Sequence, residues 1–218
     1  MTLLDAVPIA WHAVQQLVER TDGLRFDHEF TLQFHFAWEV ARVFGFSDEL
    51  SVRFEVPCGK DVNGETIRLD LLLWTDPNAK VAVELKAPLR SDSGMNSAMT
   101  QFRMRFYRDI HRLRHLVESH HDGIAAGVFV AVVNERGYVM ESRQLVNAAY
   151  RTYHGTRIAP AMTIPPAPLP NGYPFEMRMP AHEITWSWSC RDVGGRVECA
   201  DGTKHFWLEP IVVRRAGA

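Results

Sequence analysis

Three charged residues interrupt two neighbouring apolar runs of the sequence. Asp70 lies inside IRLDLLLW (67–74), and Glu84 and Lys86 lie two residues apart inside VAVELKAP (81–88). Residues i and i+2 of a strand point to the same face, so Glu84 and Lys86 would lie side by side. If the two runs pair as a hairpin, Asp70 comes close to both. Two carboxylates at such a separation repel each other, and a hard cation relieves that repulsion.

This combination of residue types favours chemistry at phosphorus. Mg²⁺ prefers oxygen ligands and keeps several of its waters. A water that is polarised by the cation and placed by Lys86 is a nucleophile for a phosphate ester, and the lysine adds positive charge where negative charge develops. The plainer interpretation is a solvated sheet face on which Asp70, Glu84 and Lys86 form ordinary cross-strand ion pairs.

The elements that would position these residues follow from hydrophobic periodicity. Helices are predicted over 9–20, over a second segment capped by Asp27, and over 97–120 and 142–154. Strands are predicted over 49–57, 67–74, 81–88 and 123–134. The buried stripe of the second helix is expected to consist of aromatic and small residues, namely Phe30, Phe34, Ala37, Trp38, Ala41 and Phe44. The order predicts an α/β fold whose mixed β-sheet is flanked by helices.

The composition changes near residue 158. The stretch IAPAMTIPPAPLPNGYP (158–174) is rich in proline and cannot be a helix. Strand-like segments follow, including AHEITWSWS and HFWLEPIVV. The 218 residues therefore divide into a core of 1–157 and a second part of 158–218, which comprises a proline-rich crossing and a β-rich C-terminal extension.

The element order, with an aspartate on one strand and Glu-x-Lys on the next, resembles the PD-(D/E)XK nuclease superfamily, which has the restriction-endonuclease-like fold. The matching residues are Asp70 and the ELK of Glu84 to Lys86. The resemblance covers Asp27 to Asn134, and it implies a nuclease-like core within 1–157. It also implies that Asp70 and Glu84 bind a metal ion, that the backbone carbonyl of Leu85 is a further ligand, and that Lys86 positions the attacking water. The expected cofactor is Mg²⁺, with Mn²⁺ as a substitute.

Many members of the superfamily add a glutamate from the helix before the sheet. Glu29 is the best match for that position, and Glu39 competes with it. The sequence departs from the family pattern in two places. Leu69 stands where many members have proline, and Tyr107 lies six residues after Gln101 instead of four, so one subfamily motif is not satisfied.

The helix after the Glu-x-Lys motif is locally basic in a chain whose net charge is −2. Arg105, Arg108 and Arg112 follow helical spacing, Gln101 shares their face, and Arg90 precedes the helix. Such a patch is typical of proteins that bind the phosphate backbone. We therefore expect these residues to bind nucleic acid, with DNA as the preferred partner.

Other sequence features bear on the cellular location and the partners of the protein. Three cysteines do not make a disulfide scaffold, which favours a reducing, cytoplasmic location. The first twenty residues have an acid at Asp5 and lack the basic start of a signal peptide. No apolar run approaches the roughly 20 residues of a membrane span, so no membrane partner is expected. The β-rich extension is expected to serve either homodimer formation or substrate choice.

Two function classes stay open. The first is a metal-dependent nuclease that hydrolyses phosphodiester bonds, with DNA as the expected substrate. The second is a catalytically inactive nuclease-fold protein that acts as a nucleic-acid-binding or assembly module. An unrelated α/β protein with a coincidental motif is a third interpretation.

Overall fold

The computed structural model describes residues 1–20, 29–61, 64–89, 99–141, 148–166, 174–194, 196–200 and 203–216. The helices within these ranges are α1 (Leu3–Arg20), α2 (Glu29–Val43) and α3 (Met99–Glu118). The first four strands are β1 (Ser51–Lys60), β2 (Thr66–Trp74), β3 (Lys80–Lys86) and β4 (Ile124–Val133). The later strands are shorter: β5 (Arg157–Ile158), β6 (Thr163–Ile164), β7 (Met177–Arg178), β8 (Ile184–Thr185), β9 (Cys190–Val193), β10 (Arg196–Cys199), β11 (Phe206–Trp207) and β12 (Ile211–Arg214).

One mixed sheet organises the chain. Its strands lie in the order β1, β2, β3, β4, and both β11 and β12 pair with β4. The pairs β1–β2 and β2–β3 are antiparallel, β3–β4 is parallel, and β12 returns antiparallel to β4. The α/β class and the mixed sheet predicted from the sequence are therefore confirmed.

Helices cover both faces of this sheet. On one face α1 and α2 pack on Val81, Val83 and Leu85 of β3, all of them buried. On the opposite face α3 packs through Phe106, Ile110 and other apolar residues. Because side chains alternate along a strand, Glu84 and Lys86 of β3 point to the α3 side. Two separate apolar cores result, and the charged residues of β3 belong to the α3 side.

The predicted buried stripe of α2 is wrong in part. Phe30, Phe34 and Trp38 are each more than half exposed. The helix instead buries Leu32, Phe36 and Val40, which follow the same spacing of four residues, on α1 and the sheet. Two apolar stripes compete on this helix, and the one that packs against the α1 core is buried. The Asp27 predicted as its cap lies outside the described residues.

The C-terminal segments of the chain are tied to the core. Trp11 of α1 donates a hydrogen bond of 2.8 Å to the carbonyl of Leu208, and β11 and β12 extend the sheet beside β4. The helix predicted over 142–154 is absent from its described part, since 148–154 form turns, and 142–147 are outside the described residues. Among the helices that the structure describes, none has the length and apolar character to cross a membrane.

Candidate active site

The candidate site begins where β2 and β3 part. Their paired residues run from Leu71 to Leu73 on β2, and Asp70 is the residue before them. Asp70 Oδ2 accepts a hydrogen bond of 2.6 Å from the backbone N–H of Leu85. A buried N–H needs an acceptor, and here a side-chain carboxylate supplies it where the neighbouring strand does not. Asp70 is thereby fixed, buried, beside Glu84 and Lys86.

The Lys86 ammonium is the centre of the site. It donates a hydrogen bond of 2.8 Å to the carbonyl of Leu85, and its side chain is only 13% exposed. Four carboxylates from four elements lie within 4 Å of its Nζ: Glu29 Oε1 at 3.3 Å, Asp70 Oδ2 at 3.3 Å, Asp109 Oδ2 at 3.6 Å and Glu84 Oε2 at 3.7 Å. The structure thus brings together every residue that the sequence proposed for catalysis, and it adds Asp109.

Glu29 reaches the site from the first turn of α2, on the other side of the sheet from α3. While its Oε1 contacts Lys86, its Oε2 accepts a hydrogen bond of 3.1 Å from the backbone N–H of Ala87. Glu39, the competing candidate, instead pairs with Arg42 at 2.7 Å on the same helix. The helix carboxylate of the site is therefore Glu29.

The site carries more negative charge than Lys86 balances. Burial, together with the nearby Asp109, raises the pKa of Glu84 well above its ordinary value. Burial also raises the pKa of Glu29, which Lys86 only partly offsets. Burial opposes the charge on Lys86, but the four carboxylates outweigh it and raise the pKa of the ammonium well above its usual range. Burial therefore disfavours the ionised forms of Glu84 and Glu29, and further positive charge nearby would favour them.

The oxygen donors of the site fit a hard divalent cation. Asp70, Glu84 and the carbonyl of Leu85 are the ligand types that Mg²⁺ prefers, and Asp109 Oδ2 is a buried carboxylate oxygen without a hydrogen-bond partner. Within the described ranges, however, no three His, Cys, Asp or Glu side chains are already grouped as a metal site. The Lys86 ammonium lies among the oxygens instead.

Asp109 belongs to none of the motifs from which the site was predicted. A signal was present, because Asp109 falls on the apolar stripe of α3 that includes Phe106, Ile110 and Leu113. Its side chain is 3% exposed. A charged residue at a core position of an amphipathic helix usually has a buried partner or a function.

The basic face of α3 is less uniform than its sequence. Arg112 pairs with Asp61 at 3.4 Å and with Glu65 at 3.2 Å, so its charge is largely balanced. Arg108 Nε lies 3.5 Å from Asp109 Oδ1, at the edge of the site. Arg105 is exposed, with its guanidinium over the ring of Phe102. Gln101 is half-buried on the same helix, and Arg90 lies outside the described residues.

Another carboxylate, that of Glu19 of α1, has a side chain that is only 6% exposed and lies in a very different setting. It accepts hydrogen bonds from the backbone N–H groups of Lys204 and His205, from His205 Nδ1 at 2.9 Å, and from Trp207 Nε1 at 2.8 Å. Burial opposes its charge, but these donors outweigh burial and lower the pKa of Glu19. This carboxylate ties α1 to the C-terminal strands.

In the part of the chain that the structure describes, Cys190, Cys199, His182 and His205 are not grouped as a metal site. Cys190 and Cys199 face each other on β9 and β10, and both are free thiols. His182 Nε2 lies 2.8 Å from the carbonyl of Val212, and His205 is bound to Glu19. Their described contacts are those of structural residues.

Comparison of the chain with protein-family models, with curated proteins and with solved structures found no match in any of the three. The chemistry that this site can perform is therefore inferred from the arrangement of charges around Lys86.

Proposed function

We propose that this chain is a metal-dependent nuclease with a restriction-endonuclease-like fold, which hydrolyses phosphodiester bonds with DNA as its preferred substrate. One observation carries the proposal: Asp70, Glu84 and the Leu85 carbonyl converge with Lys86 at the open end between β2 and β3. A pair of carboxylates with an adjacent ammonium is the set of groups that metal-assisted hydrolysis of a phosphodiester needs.

In this proposal Asp70, Glu84 and the Leu85 carbonyl hold Mg²⁺, for which Mn²⁺ can substitute. When bound, the cation supplies a more acidic water and neutralises charge on the phosphate. Lys86 cannot be a ligand because an ammonium has only donors, so it orients a water or a phosphate oxygen by hydrogen bonding. Its charge also stabilises the charge that develops on the phosphate. Glu29 restrains Lys86 from the α2 side and anchors the chain at Ala87.

The basic residues of α3 support a nucleic-acid partner. Arg105 is exposed and Arg108 borders the site, so both are placed to contact a phosphate backbone. Gln101 lies on the same helix, and Arg90 belongs to the predicted set. Arg112 contributes less, since Asp61 and Glu65 already balance it. A cytoplasmic location and a homodimer stay predictions from the sequence.

The alternative is a nuclease-fold protein that binds nucleic acid or assembles with a partner without turnover. One feature favours it: Lys86 already bonds to the Leu85 carbonyl and to Asp70, two of the proposed cation ligands. An ammonium in that position can stabilise the carboxylates without a metal ion. The two candidates differ in what the loss of Lys86 should do.

The decisive measurement is single-turnover cleavage by wild type and by Lys86→Met, with protein and Mg²⁺ at saturation. For the nuclease we expect cleavage to fall by about 10²–10³, the usual effect of losing one charge-stabilising donor, while nucleic-acid binding is nearly retained. Lys80→Met is the matched control, because Lys80 is a half-buried lysine on the same strand that pairs with Asp122 instead. Its rate should equal that of wild type.

The substrate panel is double-stranded DNA, single-stranded DNA and RNA, each with Mg²⁺ and with Mn²⁺. If wild type cleaves none of them, the catalytic proposal fails and the binding module is favoured. Equal loss in Lys86→Met and Lys80→Met would point to general damage to β3 and not to a catalytic lysine.

A further inference from the structure

Asp109 is the one carboxylate of the site that no sequence motif explains. It lies on α3, the residue as a whole is 2% exposed, and its Oδ2 is 3.6 Å from Lys86 Nζ. Its Oδ1 lies 3.5 Å from Arg108 Nε. A buried carboxylate needs a positive partner, and Lys86 is the cation that Asp109 Oδ2 faces.

The carboxylates around Lys86 differ in the hydrogen bonds that they make to other groups. Asp70 Oδ2 also accepts the Leu85 N–H, and Glu29 also accepts the Ala87 N–H. Asp109 Oδ2 has no hydrogen-bond partner, so its contact with Lys86 is the ion pair alone. Glu29 is also more accessible to solvent than Asp109: the Glu29 side chain is 37% exposed and the Asp109 side chain 3%.

We propose that Asp109 is a positioning residue that holds the Lys86 ammonium on the α3 side of β3, which leaves Asp70 and Glu84 to the cation. This inference rests on the proposed function. Once a cation engages Asp70 and Glu84, the half-buried ammonium of Lys86 still needs a counter-charge. Asp109 supplies it from an element that carries none of the proposed cation ligands.

The first test reads Lys86 directly and needs neither a metal ion nor turnover. The chain has four lysines, Lys60, Lys80, Lys86 and Lys204, so competitive acylation of the amines followed by mass spectrometry resolves each one. Asp109→Asn should make Lys86 react several-fold faster, because the ammonium loses a buried restraint, while Lys60 and Lys204 react as in wild type. Asp122→Asn is the matched control, since it removes the partner of Lys80 and should change the labelling of Lys80 only.

The second test asks whether Asp109 acts through Lys86. Asp109→Asn should lower single-turnover cleavage by about 10- to 100-fold, the usual cost of removing a supporting partner, with the affinity for Mn²⁺ essentially unchanged. In the Lys86→Met background the same substitution should have no further effect, because coupled residues are not additive. Asp109→Glu, which keeps the charge, should restore part of the loss and stay folded if Asp109→Asn does not.

Unchanged Lys86 labelling in Asp109→Asn would overturn the inference. It would also be overturned if Asp109→Asn lowered cleavage by the same factor in the wild-type and Lys86→Met backgrounds. A tenfold weaker Mn²⁺ affinity would also overturn it, since Asp109 would then be a cation ligand. If wild type does not cleave nucleic acid at all, the proposed function fails, but the labelling result still decides whether Asp109 holds Lys86.

Discussion

Two acid sites of this protein use the same kind of side chain in opposite ways. Glu19 is surrounded by hydrogen-bond donors from one stretch of the C-terminal part, and its pKa is lowered although burial opposes it. Glu84 lies in a group of four carboxylates that share one ammonium, and burial raises its pKa well above the ordinary value. The structure fully satisfies the first carboxylate and leaves the second under electrostatic repulsion.

Under the proposed function, this difference separates a structural acid from a catalytic one. The hydrogen bonds to Glu19 stabilise its ionised form, and they hold α1 against the C-terminal strands. This carboxylate therefore needs no additional positive charge. Repulsion among Asp70, Glu84 and Asp109 costs free energy in the absence of a cation, and folded proteins tolerate such costs mostly at functional sites.

The largest expected effect is on cleavage. Asp70→Asn and Glu84→Gln should each lower single-turnover cleavage by about a thousandfold or more, since a cation contributes several kcal/mol to hydrolysis of this kind. Glu19→Gln should leave the rate within about twofold where the protein is folded, since Glu19 makes no contact with the site. Wild-type rates in either Asp70→Asn or Glu84→Gln would remove that carboxylate from the proposed site.

The next effect is on the free energy of unfolding, measured by urea titration at pH 7 with a chelator. Glu19→Gln should destabilise the protein by about 1–3 kcal/mol, because donors that face a carboxylate lose a charged acceptor. Glu84→Gln should leave stability unchanged or raise it slightly, because a repelling carboxylate is removed. If both variants lose the same stability, the contrast between the two sites is wrong.

The pH dependence of stability should also differ in sign. The pKa of Glu84 is raised from 4.5 on folding, so its contribution to stability falls as pH rises above that value. The pKa of Glu19 is lowered from 4.5, so its contribution is full above that value and is lost as pH falls through the folded pKa. Urea titrations from about pH 2 to about pH 8 should therefore show Glu84→Gln gaining on wild type as pH rises above 4.5, and Glu19→Gln approaching wild type as pH falls below 4.5. Parallel curves would contradict both shifts.

The smallest effect extends the same contrast to the basic residues of α3. Arg105 is exposed, whereas Arg112 is balanced by Asp61 and Glu65. Arg105→Ala should reduce the log–log salt slope of nucleic-acid binding by about one, the value for a single lost phosphate contact. Arg112→Ala should leave that slope unchanged. Equal slopes for the two variants would show that exposure does not decide which arginine meets phosphate.

The sequence predicted the order of elements around the site because the periodicities of its strands and helices are strong. Asp70, Glu84 and Lys86 could be placed together from strand pairing alone. The role of Asp70 as an acceptor for Leu85 N–H could not, since it depends on where β2 and β3 part. The burial of Asp109 could be predicted from its position on the apolar stripe of α3. Its contact with Lys86 could not, because that contact depends on how α3 packs across the sheet.

The misjudged face of α2 has a different cause. Its apolar residues form two stripes of equal spacing, and the sequence does not show which one faces α1. The aromatic residues Phe30, Phe34 and Trp38 were favoured by size, but Leu32, Phe36 and Val40 fill the core. Glu29 is the better match in the sequence, but Glu39 stays open there for the same reason, because helix orientation decides which of the two reaches Lys86.

The hydrogen bond from Leu85 N–H to Asp70 gives the site a spectroscopic reporter. This one amide proton bonds to a carboxylate of the proposed cation site, while the next residues along β3 belong to the strand and to the Glu29 contact. Its NMR resonance therefore depends on the charge and the position of Asp70. In a two-dimensional amide spectrum, Leu85 would follow the state of the site without any substrate, and the Ala87 amide would follow Glu29 in the same spectrum.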